Sequence, residues 1–154
     1  MIHVRPRSYL SPGVVKEVTA LSDWFLRKYI EPFVKDQEPT YIDISFNKRI
    51  DTLGLASEGH YDYEYLIELN PVVGYWDYMR TLCHELIHVR QYRLCQMVPV
   101  EGGTKWKSGK TKRYKKYDFD VPYMELPWEK EAYALEKHYW GIWQRTKVGR
   151  GFLR

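Results

Sequence analysis

Cysteine is scarce in this chain. Cys83 and Cys95 are the only two, and no C-x-x-C pair occurs. A zinc ribbon built on paired cysteines is therefore excluded. The two thiols lie twelve positions apart in a helical pattern, about 18 Å along a helix, so they cannot bridge each other. Buried, reduced thiols in an intracellular protein are the expectation. No apolar run approaches the roughly 18 residues that a membrane-spanning helix needs. The opening MIHVRPRSYLSPG has no apolar centre of the kind a secretion signal carries. No internal repeat is visible. Acidic residues are missing from one segment: Lys105 to Lys116 holds seven basic residues and no acidic one. The other positions carry 17 basic against 20 acidic side chains, so the net charge of +4 belongs to that segment.

Apolar residues make up 44% of the 154 residues, enough for a core, and aromatics reach 16%. One domain spanning 1–154 is expected at this length. Ser11 and Pro12 have the chemistry of an N-cap and a first helical position. Val14, Val18, Leu21, Phe25 and Tyr29 then follow on one helical face, up to Pro32. Thr40 to Phe46 alternates and is β-branched, which predicts a strand. His60 to Pro71 predicts a second, longer strand, with Tyr61, Tyr63, Tyr65, Ile67 and Leu69 on one face and acids opposite. That pattern suits an antiparallel or edge strand with one wet side. A long helix is predicted from about Trp76 to Met97, stopped by Pro99. Residues 99–126, rich in glycine, proline and lysine, read as a long basic loop or flap. A last helix starts near Pro127. The order is helix, strand, strand, helix, flap, helix, an α+β arrangement with helices packed on a small mixed or antiparallel sheet.

The central helix carries TLCHELIHVRQYR. His84 and His88, at i and i+4, project from one helical face. Two neutral imidazoles so placed can ligate one zinc ion, and Glu85 between them can act on water in the metal's open position. This is the H-E-x-x-H arrangement for hydrolysis by metal-activated water. The plainer reading is an amphipathic helix whose histidines bond to backbone or solvent. A catalytic zinc needs a third protein ligand, and no third histidine follows at H-x-x-G-x-x-H spacing. The candidates are Glu125, Glu129, Glu131, Glu136 and His138. With Ala132 at 0° and about 100° per residue, Glu129 falls near +60°, beside the apolar stripe of Ala132, Leu135, Tyr139, Ile142 and Trp143. Glu131 falls near −100°, with His138 beside it. The angle favours Glu129 and leaves Glu131 as the alternative. An acid in the first turn also suits the helix dipole without any metal.

HELIH (84–88) followed by a helix with EKEAY (129–133) resembles the gluzincin branch of zincin metallopeptidases. The small minigluzincins and the ImmA/IrrE-type peptidases match best in size. Their motif, H-E-x-x-H and later E-x-x-A-(D/N), implies His84, His88 and Glu129 as zinc ligands and Glu85 as general base. Tyr133 stands where the pattern has Asp or Asn, and a tyrosine there could donate to a developing oxyanion. Tyr123 and His138 are further candidates for oxyanion or substrate contacts. The resemblance covers about 65–88 and 127–139. YLIELNP (65–71) is also similar to the strand before the zinc helix of SprT-like proteases, which use a third histidine and often a zinc ribbon. In zincins an edge strand holds an extended peptide, which implies substrate contacts at Tyr63, Tyr65 and Ile67 on the strand 61–69. The expectation is a zinc metallopeptidase acting on a peptide or protein. The rivals are a SprT-like nucleic-acid-associated protein and a non-catalytic zincin-like component of an assembly. Trp106, Tyr114 and Tyr117 interleave with the basic run 105–116, which suits nucleic acid or an acidic partner. A solvated charged loop is the plainer reading.

Overall fold

The structure, a computed structural model, describes residues 1–152. It is a mixed α+β fold of four helices and two sheets. The first sheet contains β1 (Ile2–Val4), β2 (Tyr41–Phe46), β3 (Gly54–Glu58) and β4 (Glu64–Leu69) in the order β1-β2-β4-β3. β1, β2 and β4 run parallel, and β3 lies antiparallel to β4 at the edge. The second sheet is an antiparallel meander of β5 (Met97–Val100), β6 (Gly103–Trp106) and β7 (Lys115–Asp118).

Alternation along the strands decides what the first sheet buries. Ile42, Ile44 and Phe46 of β2 and Tyr65, Ile67 and Leu69 of β4 are all buried on one face. Val18, Leu21 and Phe25 of α1 (Pro12–Phe25) and Met79, Leu82, Leu86 and Val89 of α2 (Tyr75–Arg93) complete this core. Each such side chain contributes about 1.5–3 kcal/mol. Ser11 caps α1 as expected, its Oγ accepting from the Val14 amide at 3.3 Å. α1 continues as a wider turn over Leu26–Ile30 and stops at the 3-10 turn containing Pro32. α3 (Pro127–Arg145) packs along α2, and Trp24, Tyr29, Tyr139 and Trp143 join their aromatic seam. A one-turn α4 (Lys147–Arg150) follows. No helix of the described residues is long and apolar enough to cross a membrane.

Five expectations change. The strand foreseen over His60–Pro71 begins only at Glu64, because Tyr63 has φ +62° and the Gly59 amide bonds the Glu64 carbonyl across a tight turn. That strand is interior, paired on both sides, and the edge belongs to β3. α2 ends at Arg93 rather than Met97. Cys95 takes φ +55° and the Gln96 amide turns back to the Gln91 carbonyl. Cys95 is thereby exposed while Cys83 stays buried. The stretch read as a flap, 99–126, holds most of the meander and a 3-10 turn at Tyr123–Glu125. Met97, Trp106 and Trp128 form its own small core beneath Tyr117 and Leu126.

Arg93 anchors the far end of α2. Its buried guanidinium makes two bonds to the Asp36 carboxylate at 2.7 and 2.6 Å, reaches Thr40 Oγ1 at 2.9 Å and covers the Tyr63 ring at 4.1 Å. The strand-side loop and the central helix are thus fixed to each other one turn beyond His88.

Candidate metal centre

α2 places His84 and His88 on the face that meets α3, and the first turn of α3 brings Glu129 against both. All three are buried. His84 Nε2 lies 3.1 Å from His88 Nε2 and 3.1 Å from Glu129 Oε2, and His88 Nε2 lies 3.2 Å from Glu129 Oε1. One ligand atom from each residue therefore converges within 4.8 Å of the others.

The spacing fits a cation. Ligands about 2.0–2.1 Å from a tetrahedral zinc stand roughly 3.3 Å apart, close to the separations found. The outer nitrogens fit as well. His84 Nδ1 lies 2.8 Å from Glu136 Oε2, and His88 Nδ1 lies 2.7 Å from Gln91 Oε1. With each Nδ1 turned outward to an oxygen, both Nε2 atoms face the same point, and an Nδ1–H tautomer with Nε2 deprotonated is the form a metal site requires. Gln91 is itself held, its Nε2 donating to the Trp128 carbonyl at 3.0 Å and to Glu131 at 3.2 Å.

The charges are coupled. Burial pulls the His84 pKa down, but its bonds to Glu129 and Glu136 outweigh that and raise it to about 9. Burial pushes the Glu129 carboxyl up, and the bonds from His84 and His88 overcome this and hold it near 2. Glu85 differs. Burial raises it to about 7, against the pull of His88 and His84. It has no place in the ligand triad, and it lines the open cleft beside the triad.

No family model, curated protein or solved structure matches this chain. The local geometry is therefore the basis for any assignment.

That cleft measures about 590 Å³ and runs between β3 and the start of α3, with Gly54, Leu55 and Ala56 on one wall and Tyr123, Trp128 and Tyr133 on the other. The ring of Tyr133 stacks edge-on to His84 at 4.5 Å between centroids while the residue remains 44% exposed. Tyr123 lies edge-on to the Tyr133 ring, and burial together with its neighbours Glu129 and Tyr133 pushes its hydroxyl far above the usual phenol range. Gly54 is where β3 presses on α2: a Cβ there would meet Thr81 Cγ2 at 2.6 Å and Glu85 Oε1 at 3.0 Å.

Sequence reasoning nominated several residues that the fold does not bring here. Tyr65 and Ile67 are 4% and 1% exposed and sit in the main core, because the interior position of β4 turns that face toward the helices. Tyr63 lies under Arg93 at the other end of the sheet. None of the three lines the cleft, and the β3 residues 54–56 line it instead. His138 is exposed on the outer side of α3 against Tyr139, and Glu125 is exposed in the preceding turn. Glu131 stops at Gln91, outside the triad. Glu136, considered above only as a ligand, is the partner of His84 Nδ1. It lies seven residues after Glu129, nearly two full turns, so the shared face was visible and only its role was not. β3 gave no comparable signal.

Proposed function

We propose that this chain is a zinc-dependent peptidase of zincin type, gluzincin branch, hydrolysing a peptide bond with Glu85 as general base. The observation that carries the proposal is the His84–His88–Glu129 triad, its outer nitrogens tied back, with Glu85 left outside it at the cleft. His84, His88 and Glu129 would hold the metal. When bound, zinc supplies Lewis acidity, polarising a carbonyl and bringing a water's pKa toward about 7.

The remaining work belongs to side chains and backbone. Glu85, with a carboxyl that titrates near 7, accepts the proton of the attacking water and hands it to the departing amine, so it ends each turnover as it began. Tyr133 and Tyr123 line the opposite wall, and their hydroxyls would serve as donors to the oxygen that gains charge. The free edge of β3 offers main-chain donors and acceptors to a substrate laid alongside as an extra strand, a mode that takes affinity from backbone bonds and selectivity from alternate side chains. Glu136, 2.8 Å from His84 Nδ1, orients that imidazole, so the orienting role that the resemblance implies for position 133 would be met from elsewhere on α3.

The test is paired. Native protein should carry close to one zinc, and Glu85→Gln should keep that zinc while peptide cleavage falls by about 10²–10⁴-fold. Less than about half an equivalent of zinc, with none regained on dialysis, would overturn the metal assignment. Zinc uptake without turnover on any peptide would leave a structural metal site.

A further inference from the structure

We propose that the groove between strand β7, the loop leading into it and the start of α3 binds single-stranded nucleic acid. This inference stands on a different part of the molecule from the metal centre and does not depend on it.

Seven cations fall between Lys105 and Lys116 with no acid among them. The register sets Lys105 directly opposite Lys116 on the outer face of the meander, and both are exposed. Like charges directly opposite on a sheet repel. Among the described residues, the one carboxylate in ion-pair reach of the seven is Asp118, 3.5 Å from Lys116. Lysines on an edge strand commonly protect it from pairing with other chains. That reason covers Lys115 and Lys116 on β7. It does not cover Lys107, Lys110, Lys112 and Arg113, which lie outside every strand.

The shape of the surface selects among anions. On the opposite face from Lys105 and Lys116, where Trp106 pairs with Lys115, a groove of about 610 Å³ opens, with Lys112, Arg113 and Lys115 lining it together with Trp106, Tyr114 and Tyr117. Tyr114 is 40% exposed. Its hydroxyl donates to the Cys95 carbonyl, which fixes the ring in place. Lys107 Nζ stands 4.9 Å from the Tyr114 ring and Lys115 Nζ 5.1 Å from the Tyr117 ring. Tyr114 is thus an exposed ring held among cations, a setting that suits a base stacked on the ring's open face with its flanking phosphates on the lysines and arginine. Carboxylates of an acidic peptide would use the cations and leave the rings idle. A duplex keeps its bases stacked inside and offers them no face. The occupant with both chemistries exposed is an unpaired strand.

The experiment is fluorescence anisotropy of a labelled 12-nucleotide oligothymidylate with the full chain, at several salt concentrations. Binding is expected at about 50 mM salt, weakening as salt rises with a log–log slope of about 0.7 per phosphate contact. The variant Lys112→Gln/Arg113→Gln/Lys115→Gln should weaken binding and lower that slope by about two. Tyr114→Ala should weaken binding about tenfold with an unchanged slope. Circular dichroism and zinc content serve as folding controls for both variants. Zinc removal should leave the affinity unchanged. No binding at low salt would overturn the proposal. So would equal affinity for polyglutamate, which would mark an acidic-protein site, equal affinity for duplex, or a Tyr114→Ala affinity equal to that of the parent chain.

Discussion

His84 carries opposite demands on its two ring nitrogens. Nδ1 must keep a proton to bond Glu136, and Nε2 must lose one before it can take a cation. With its pKa lifted to about 9 by the two glutamates, the metal-free imidazole is charged at neutral pH. Zinc uptake between about pH 6.5 and 9 should therefore release about one proton from this site. Calorimetry in buffers of different ionisation enthalpy measures that number directly. The same shift fixes a sign for stability. A histidine raised on folding stabilises fully below its ordinary value near 6.5 and stops doing so as pH climbs through about 9. Metal-free protein should lose melting temperature over that window, and zinc-loaded protein should not lose it from this source. Glu136→Gln keeps the shape but removes the carboxylate that orients His84, so zinc affinity should fall about 10–100-fold. A competition titration with a chelating dye reads the change. At this scale the sequence was informative where chemistry is local. H-E-x-x-H and the angular position of Glu129 needed only helix geometry. The bond between residues 84 and 136 spans 52 positions, and no local pattern encodes it.

Among the elements, β3 matters most to the cleft and was the least legible. Its sequence, GLASE, contains none of the β-branched or aromatic residues that mark strands. Pairing with β4 makes it a strand, through a register that puts Gly54 against Leu69 and Glu58 against Tyr65. β4 was readable from its alternation, but alternation says which face is buried and not which neighbours a strand has, so the edge was assigned to the wrong element. The meander was hidden for a related reason: glycine, proline and lysine read as a loop until the register closes the ladder over Trp106 and Trp128. The glycine at 54 has a definite task. Thr81 and Glu85 lie where its Cβ would be, and both are buried. Gly54→Ala should push β3 and the Glu85 carboxylate apart and cost about 1–3 kcal/mol of stability. If Glu85 is the base proposed above, a displacement near 1 Å there should lower kcat on the order of 10²-fold, while zinc content should hold. Thr81→Ser removes the methyl responsible for the shortest of these contacts. The double variant should recover part of both losses, and steady-state kinetics with thermal melts would show whether it does.

For the whole molecule, the decisive arrangement is that the proposed ligands come from two helices separated by the meander. His84 and His88 belong to α2 and Glu129 to α3, with 33 residues of turn and strand between Arg93 and Pro127. Away from the site and its neighbouring polar contacts the two helices are held by apolar and aromatic packing, including Ala132, Trp140 and Trp143. At the site itself the contact is two imidazoles and a carboxylate, buried polar groups that contribute little unless their charges are matched. A cation there would tie the helices at the centre of a polar junction that also includes Gln91 with Glu131 and Arg80 with Glu136, and unfolding would have to release it. Stabilisation by a ligand that binds only the folded chain grows as RT ln(1 + [L]/Kd), about 4 kcal/mol at a thousandfold excess over Kd. For a chain of this length, 1 kcal/mol corresponds to about 2–4 °C. Zinc should then raise the melting temperature by about 8–16 °C. Glu129→Ala should abolish most of the rise, because it removes the only ligand that α3 contributes. Glu131→Ala should retain it, since Glu131 reaches Gln91 and not the triad. Melting curves of these two variants with and without zinc separate the first-turn acid that ligates from the one that does not. Equal responses would mean that α3 takes no part in holding the metal.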